Sequence, residues 1–445
     1  MTANCWWTGL AVVLAGAALA AQEPANTDTA QEQLARFFAA APEQRAAFAF
    51  DPSLDAELRT VEGDARLRKL AFAAWRDVEQ PALRVDHEQK LVRAGDKQSA
   101  FTRKQVGEKP AGGWGLVIAM HGGGGTAKAV NDGQWQHMQI YYKDHPEAGG
   151  YLYCALRAPT DEWNGFYTDY FYPLLEKLIR QFVVCDDVDP DRVIALGYSH
   201  GGYGAFAIGP KLPHRFAAVH ASASAPTDGE TSPVGLHTLP FSFMVGGNDT
   251  AHGRRERCEK FDALLTELKK QHAGCYPSTF TLVEGNGHTG LPDRDLLALL
   301  VPKVRTPLPR ELWWELTDTV VRHHYWLHVP APRKQLRVEA KLAGQRLSVR
   351  WCDGAARAEA RADKVDGEVW LDARLCDLTQ PLEVTLDVVT SEDVLIEGSP
   401  SIHIDPGYET RTRTLEPAPS LRTLCNTLLE RGDPQLAASW TVELR

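Results

Sequence analysis

The chain has little positive charge to spare: 48 Lys and Arg stand against 58 Asp and Glu, a formal charge of −10 over 445 residues. No basic face is evident to neutralise phosphates, so nucleic acid is excluded as a partner. Cys-x-x-Cys pairs are missing, and the adjacent His323 and His324 would face opposite ways on a strand. No metal or cofactor is expected. Low-complexity tracts and short repeats are absent too, which leaves an ordinary globular composition with 44% hydrophobic residues. The chain is too long for one core, and two or three units are expected.

Long apolar runs are confined to the amino terminus. Residues 9–20 form an apolar run that ends in small residues and is followed by Gln22, Glu23 and Pro24. This is the pattern of a secretory leader over residues 1–21, with cleavage near Ala20–Gln22, and it is short for a membrane span. It lacks one feature, because no Lys or Arg precedes the run. An uncleaved anchor is the alternative reading. No later segment is apolar for long enough to cross a bilayer, so a secreted or periplasmic protein is expected. Eight cysteines are present and Cys5 falls in the leader. Export would permit disulfides, with Cys258/Cys275 and Cys352/Cys376 as candidates, while Cys154 reads as a buried filler.

Residues 22–84 carry apolar stripes at helical spacing, through Leu34, Phe37 and Phe38 and then Leu54, Leu58 and Val61 toward Phe72 and Trp75. A helical extension is expected, structural in role, with a lid or docking function as the alternative. From residue 85 the period changes. A short hairpin turns at Gly95-Asp96, and apolar strands near 115–120, 151–156, 193–196, 216–219, 241–245 and 280–283 then alternate with helices near 169–182, 202–211, 254–272 and 293–300. Such alternation predicts an α/β unit over 85–305 whose doubly wound, mostly parallel sheet is covered on both faces. Pro302, Pro307 and Pro309 mark a linker. Beyond it, Leu336, Val338, Ala340 and Leu342 alternate with polar residues, as do Leu347, Val349 and Trp351 and then Leu382, Val384 and Leu386. A small antiparallel, sandwich-like β domain is expected over 306–410. Residues 411–445 are expected to add a helix and a final strand.

The stretch 192–202 reads as a buried strand running into Gly197-Tyr198-Ser199-His200-Gly201. A Gly-x-Ser-x-Gly turn between strand and helix lifts a serine hydroxyl clear of the sheet and leaves room for a carbonyl. A serine becomes a useful nucleophile only beside a base that a third group orients. Downstream, Gly246-Gly247-Asn248-Asp249 and Glu284-Gly285-Asn286-Gly287-His288 place an acid and a histidine just past two strands, in the order such sheets require. Glu284 is the alternative orienter. His252 and His220 are weaker candidates. Upstream, His121-Gly122-Gly123-Gly124-Gly125 follows a strand. The backbone N–H groups of Gly122 or Gly123, with that of His200, would stabilise an oxyanion. A phosphate-cradling loop is the rival reading of those glycines, but Gly-x-x-x-x-Gly-Lys-Ser/Thr is absent.

On these motifs residues 85–305 resemble the α/β-hydrolase family, and within it the secreted esterases related to polyhydroxybutyrate depolymerases and feruloyl esterases. The resemblance covers about half the chain. It implies Ser199 as nucleophile, His288 as general base and then acid, Asp249 as orienter, and an acyl-enzyme formed on a small-molecule or polymer-linked ester. Trp163, Phe166 and Tyr167 leave a strand end beside this rim and are candidates to stack on substrate, or else to pin a long loop. A serine peptidase of the prolyl-oligopeptidase type shares the triad order. A noncatalytic carbohydrate- or partner-binding protein, with Tyr325, Trp326, Trp351 and Trp370 as a platform, is the third reading.

Overall fold

The computed structural model describes residues 27–355, 361–390 and 407–445. The expected leader, its cleavage point and Cys5 lie outside the described residues. Four helices come first: α1 (Thr27–Ala39), α2 (Pro42–Ala47), α3 (Pro52–Glu57) and α4 (Val61–Glu88). Short polar side chains start two of them, with Asp51 accepting from the Ser53 N–H and Thr60 from the Gly63 N–H. Their apolar stripes meet in one cluster that holds Leu34, Phe37, Leu58, Leu67 and Trp75. A hairpin of β1 (Leu91–Ala94) and β2 (Lys97–Ala100) follows, and its two-residue loop needs Gly95 at φ +57°.

The central sheet has seven strands. They are β3 (Lys104–Val106), β4 (Trp114–Met120), β5 (Tyr151–Leu156), β6 (Val188–Tyr198), β7 (Ala218–Ser222), β8 (Phe241–Gly246) and β9 (Ser278–Val283), in spatial order β3-β5-β4-β6-β7-β8-β9. Only β3 runs antiparallel to its neighbour. Every residue of β4 and β5 is buried, because helices cover both faces. Those helices are α5 (Lys128–Tyr141), α6 (Phe171–Asp186), α7 (His200–Lys211), α8 (Arg254–Gln271) and the short α9 (Leu297–Leu300). This is the α/β-hydrolase fold. The strand order reverses between β5 and β6, so the crevice at the carboxyl ends of β4 and β6 is where a site assembles. Helix α5 was not expected. It buries only Asn131 and Met138, too few apolar positions to leave a helical period.

The carboxyl-terminal third builds two small sheets. One contains β10 (Glu311–Glu315), β13 (Leu336–Ala343), β14 (Arg346–Asp353), β16 (Leu382–Val389) and β17 (Tyr408–Leu415). The other contains β11 (His323–His324), β12 (Leu327–His328), β15 (Glu368–Leu371) and β18 (Trp440–Glu443). Between β17 and β18 the chain also carries α10 (Leu421–Arg431). Pairing is antiparallel except for β14 with β16. That parallel pair departs from the antiparallel expectation, and the chain makes it by leaving for β15 in the second sheet before returning. Strand β17 runs unbroken across the expected boundary at residue 410.

Two further expectations are corrected. Tyr325, Trp326, Trp351 and Trp370 are each 4% exposed or less, so they form no platform; their rings fill the β unit. The seven described cysteines are all free thiols. Cys258 is buried inside the first turns of α8 and donates to the Ser224 carbonyl, while Cys275 lies beyond the helix's far end, about 20 Å along its axis. Cys352 faces the opposite side of β14 from the core residue Trp351, and Cys376 is buried in that core. Among the described residues no helix is long and apolar enough to cross a membrane.

The ends of the described chain pack together. Leu421, Leu424 and Leu428 of α10 join the cluster around Trp75, and Arg68 of α4 pairs with Asp64 at 2.7 Å and Asp372 at 3.1 Å. Trp75→Ala is therefore expected to cost about 3–5 kcal/mol in urea unfolding, whereas Val85→Ala on the exposed face of α4 should stay within about 0.5 kcal/mol.

Candidate active site

Strand β6 passes into α7 through Ser199, whose backbone sits at φ +53°, ψ −112°. A non-glycine residue in that region stores about 1–3 kcal/mol and persists only where its surroundings over-determine it. Here they do. The Ser199 N–H donates to the Ser222 carbonyl at 2.9 Å, its carbonyl accepts from the Tyr203 N–H at 3.0 Å, and the Gly201 N–H donates to the His121 carbonyl at 2.9 Å. The flanking glycines are a packing requirement. A Cβ on Gly197 would lie 2.0 Å from the Gly201 carbonyl oxygen, and one on Gly201 would lie 2.2 Å from that of Met120.

The loops after β8 and β9 bring two partners to the same rim. His288 Nε2 is 2.9 Å from Ser199 Oγ, and His288 Nδ1 is 2.8 Å from Asp249 Oδ2. Asp249 is buried and its other oxygen accepts from the Arg254 guanidinium at 2.9 Å, which in turn reaches the Tyr203 hydroxyl at 3.1 Å. Tyr198 donates its hydroxyl to the His288 carbonyl at 2.6 Å and so fixes the histidine loop. The alternatives sit elsewhere. Asp249, not Glu284, meets His288 Nδ1, and His220 is buried between the hydroxyls of Ser222 and Ser242. Arg254 was invisible beforehand, because an arginine opening a helix reads as ordinary surface charge.

The glycine loop after β4 bends through positive φ at Gly123, Gly124 and Gly125. His121 is fully buried, and burial lowers its pKa to about 4, so the ring is neutral. Its Nδ1 meets the Gly122 carbonyl at 2.6 Å and its Nε2 accepts from the Ala158 N–H at 3.0 Å. Holding that carbonyl turns the Gly123 N–H the other way. A Cβ on Gly122 would lie 3.6 Å from Ser199 Cβ, so the loop borders the serine. The Gly124 N–H is taken by Asn131 at 2.7 Å, whereas those of Gly122, Gly123 and His200 donate to no acceptor among the described residues. The His200 ring is buried, its pKa lowered to about 3 by desolvation, and a Cβ on Gly124 would strike it at 2.6 Å.

Of the three aromatics, Trp163 and Tyr167 line a cavity of about 430 Å³ together with Tyr203, Thr227, His252 and Arg257. Phe166 does not. It has no exposed surface and packs its ring on His121, Phe171 and His200, which removes it from the substrate-facing set.

No family model matches the chain, and no curated protein does. Among solved structures it is similar to a thermostable esterase, with 17% identity over 44% of this chain and 55% of the other at a TM-score of 0.32. It is similar as well to a poly(3-hydroxybutyrate) depolymerase from Bordetella parapertussis, with 17% identity over 44% and 80% at a TM-score of 0.34. The enterobactin esterase of Shigella flexneri gives 16% identity over 46% and 54% at 0.35. The chain spans about half the length of the first of these. TM-scores this low leave its activity to be read from its own geometry.

One metal-like group lies away from this rim. His323, His328 and Glu430 hold their ligand atoms within 4.8 Å of one another. The His324-x-x-x-His328 spacing escaped the sequence reading, yet the hairpin pairs His328 with His323.

Removing the Arg254 charge would leave the Asp249 carboxylate buried beside an apolar side chain. Arg254→Met is expected to lose about 3–5 kcal/mol of stability by chemical denaturation, and the exposed Lys260→Met to stay within about 0.5 kcal/mol.

Proposed function

We propose that the chain is an exported serine hydrolase of carboxylic esters, working through an acyl-enzyme. The observation that carries this is the continuous contact Ser199 Oγ to His288 Nε2 to Asp249, at 2.9 and 2.8 Å, on a strained elbow. In this reading Ser199 Oγ attacks the ester carbonyl as His288 Nε2 takes its proton, and Asp249 holds the ring in the tautomer with its hydrogen on Nδ1. The developing oxyanion is met by the free N–H of Gly123 or Gly122 and that of His200, pre-aimed and without reorganisation. His288 then protonates the leaving alcohol. Water, deprotonated by the same nitrogen, releases the acid and restores Ser199.

The roughly 430 Å³ cavity beside the elbow, walled by Trp163 and Tyr167, suits an acyl or alcohol group with a flat or apolar body. The apolar run at the amino terminus supports export. Residues 85–305 would hold the chemistry, with 22–84, 306–410 and 411–445 as the frame around it.

Short-chain nitrophenyl esters test the proposal. Ser199→Ala should lower kcat about a million-fold with the fold intact by circular dichroism, and Asp249→Asn about ten-thousand-fold. A fluorophosphonate should label the wild type at Ser199 and leave Ser199→Ala unlabelled. Absence of both turnover and labelling sinks the hydrolase, and cleavage of aminoacyl amides as fast as esters would move it to the peptidases.

A further inference from the structure

A second cavity, of about 530 Å³, opens far from Ser199 between α4, α6, the turn after α7, the segment before β11 and the end of α10. It lies at the carboxyl end of α7, whose amino end carries Ser199, so about 18 Å of helix separates the two. Five cationic side chains line it: Lys177, Arg180, Arg215, Arg322 and Arg431. Two of the lining acids are already engaged, Glu176 with Arg215 and Glu430 with His323 at 2.7 Å; Glu79 is the third.

Arg431 stands out among them. The residue is 2% exposed, and its Nε and both terminal nitrogens are buried with no hydrogen-bond partner. Burial lowers its pKa to about 9, which still leaves it charged at neutral pH. The Glu176 and Asp433 carboxylates offset part of that charge from a distance, but a buried guanidinium with no hydrogen bond at any nitrogen is still costly. The neighbouring arginines do not relieve it. Arg180 donates to the Glu430 carbonyl at 2.8 Å and Arg215 to that of Arg431 at 2.8 Å, so they cap the last turn of α10 and leave its own guanidinium free. His214 adds a second buried group, with no hydrogen bond at either ring nitrogen, its Nε2 3.7 Å from Glu176 Oε1, and desolvation keeps it neutral. This positive field works against a divalent cation at His323, His328 and Glu430, and for an anion.

We propose that this cavity binds a small organic anion, a single carboxylate or phosphate on an apolar body. The Arg431 fork matches two oxygens of either head group, Arg215 lends charge from one side, and the walls of Leu83, Tyr172, Leu212 and Val321 receive the body. The volume suits a metabolite-sized ligand. The site is independent of whatever Ser199 attacks.

Thermal shift and calorimetry on the full chain test this, with hexanoate, phenyl phosphate and inorganic phosphate as probes against chloride at matched ionic strength. Hexanoate or phenyl phosphate should raise the wild-type Tm with saturation, and the more potent of the two identifies the head group. In Arg431→Met the affinity should fall at least a hundred-fold, while the ligand-free Tm stays equal or rises because an unpaired buried charge is gone. Arg431→Lys, which keeps charge without the fork, should bind at least tenfold more weakly. An anion held at the Ser199 rim would survive both changes, so retained affinity in either variant overturns the proposal. A wild-type shift no larger than chloride's means that water alone fills the cavity, and binding of hexanol as tight as hexanoate removes the charge from recognition. Either result also overturns it. If Arg431→Met does not fold, the lysine variant carries the comparison.

Discussion

Ser199 is held at a positive φ, and much of the central sheet is arranged to keep it there. The bonds that pin it come from its own helix α7 and from the ends of the two neighbouring strands. Ser222 at the end of β7 takes its N–H, while the His121 carbonyl just past β4 takes that of Gly201. A slip of register in either pairing would release the bend. The cost of about 1–3 kcal/mol is a noticeable share of a domain's net stability, so it must be met by the burial of β4 to β8 on both faces. The same parallel pairing delivers the loops of Asp249 and His288 to one edge, which is why three residues spread over ninety positions meet.

Much of this was legible in advance, and the reason is local chemistry. Continuous apolar runs such as 115–120 and 151–156 belong to strands buried on both faces, and Gly197, Ser199 and Gly201 mark a bend that few other residues tolerate. What stayed hidden depends on tertiary partners. Helix α5 buries little and so carries no stripe. Phe166 lies among candidate pocket residues in sequence, yet its ring packs inward on His200. The parallel pairing of β14 with β16 is a long-range choice made by a crossover, and alternation looks the same in either direction. Arg254 and Arg431 are arginines whose importance lies in what surrounds them, a hydrogen-bonded buried carboxylate in one case and no hydrogen-bond partner for the guanidinium in the other.

Buried charge elsewhere is handled in networks. Asp433 receives both Arg305 at 2.8 Å and Arg215 at 3.2 Å, and Arg68 binds Asp64, Asp372 and the carbonyls of Pro434 and Ala437. Ions so placed contribute less to net stability than to fixing which segments sit together, since one alternative packing would strand several charges at once. They tie α4, the β unit and the last residues to the central sheet.

The joining of the two ends of the described chain sets an order of events during synthesis. Helices α1 to α4 are made first, but their apolar face around Phe37, Leu67 and Trp75 is closed by Leu421, Leu424 and Leu428 of α10. Val184 and Arg180 of α6 cover part of that face, and the rest stays open until α10 has been made. That remainder must wait while more than three hundred residues are added after α4. A product that stops short of α10 leaves the side chains around Leu67 and Trp75 partly bare, and apolar surface of that kind makes a chain prone to aggregate.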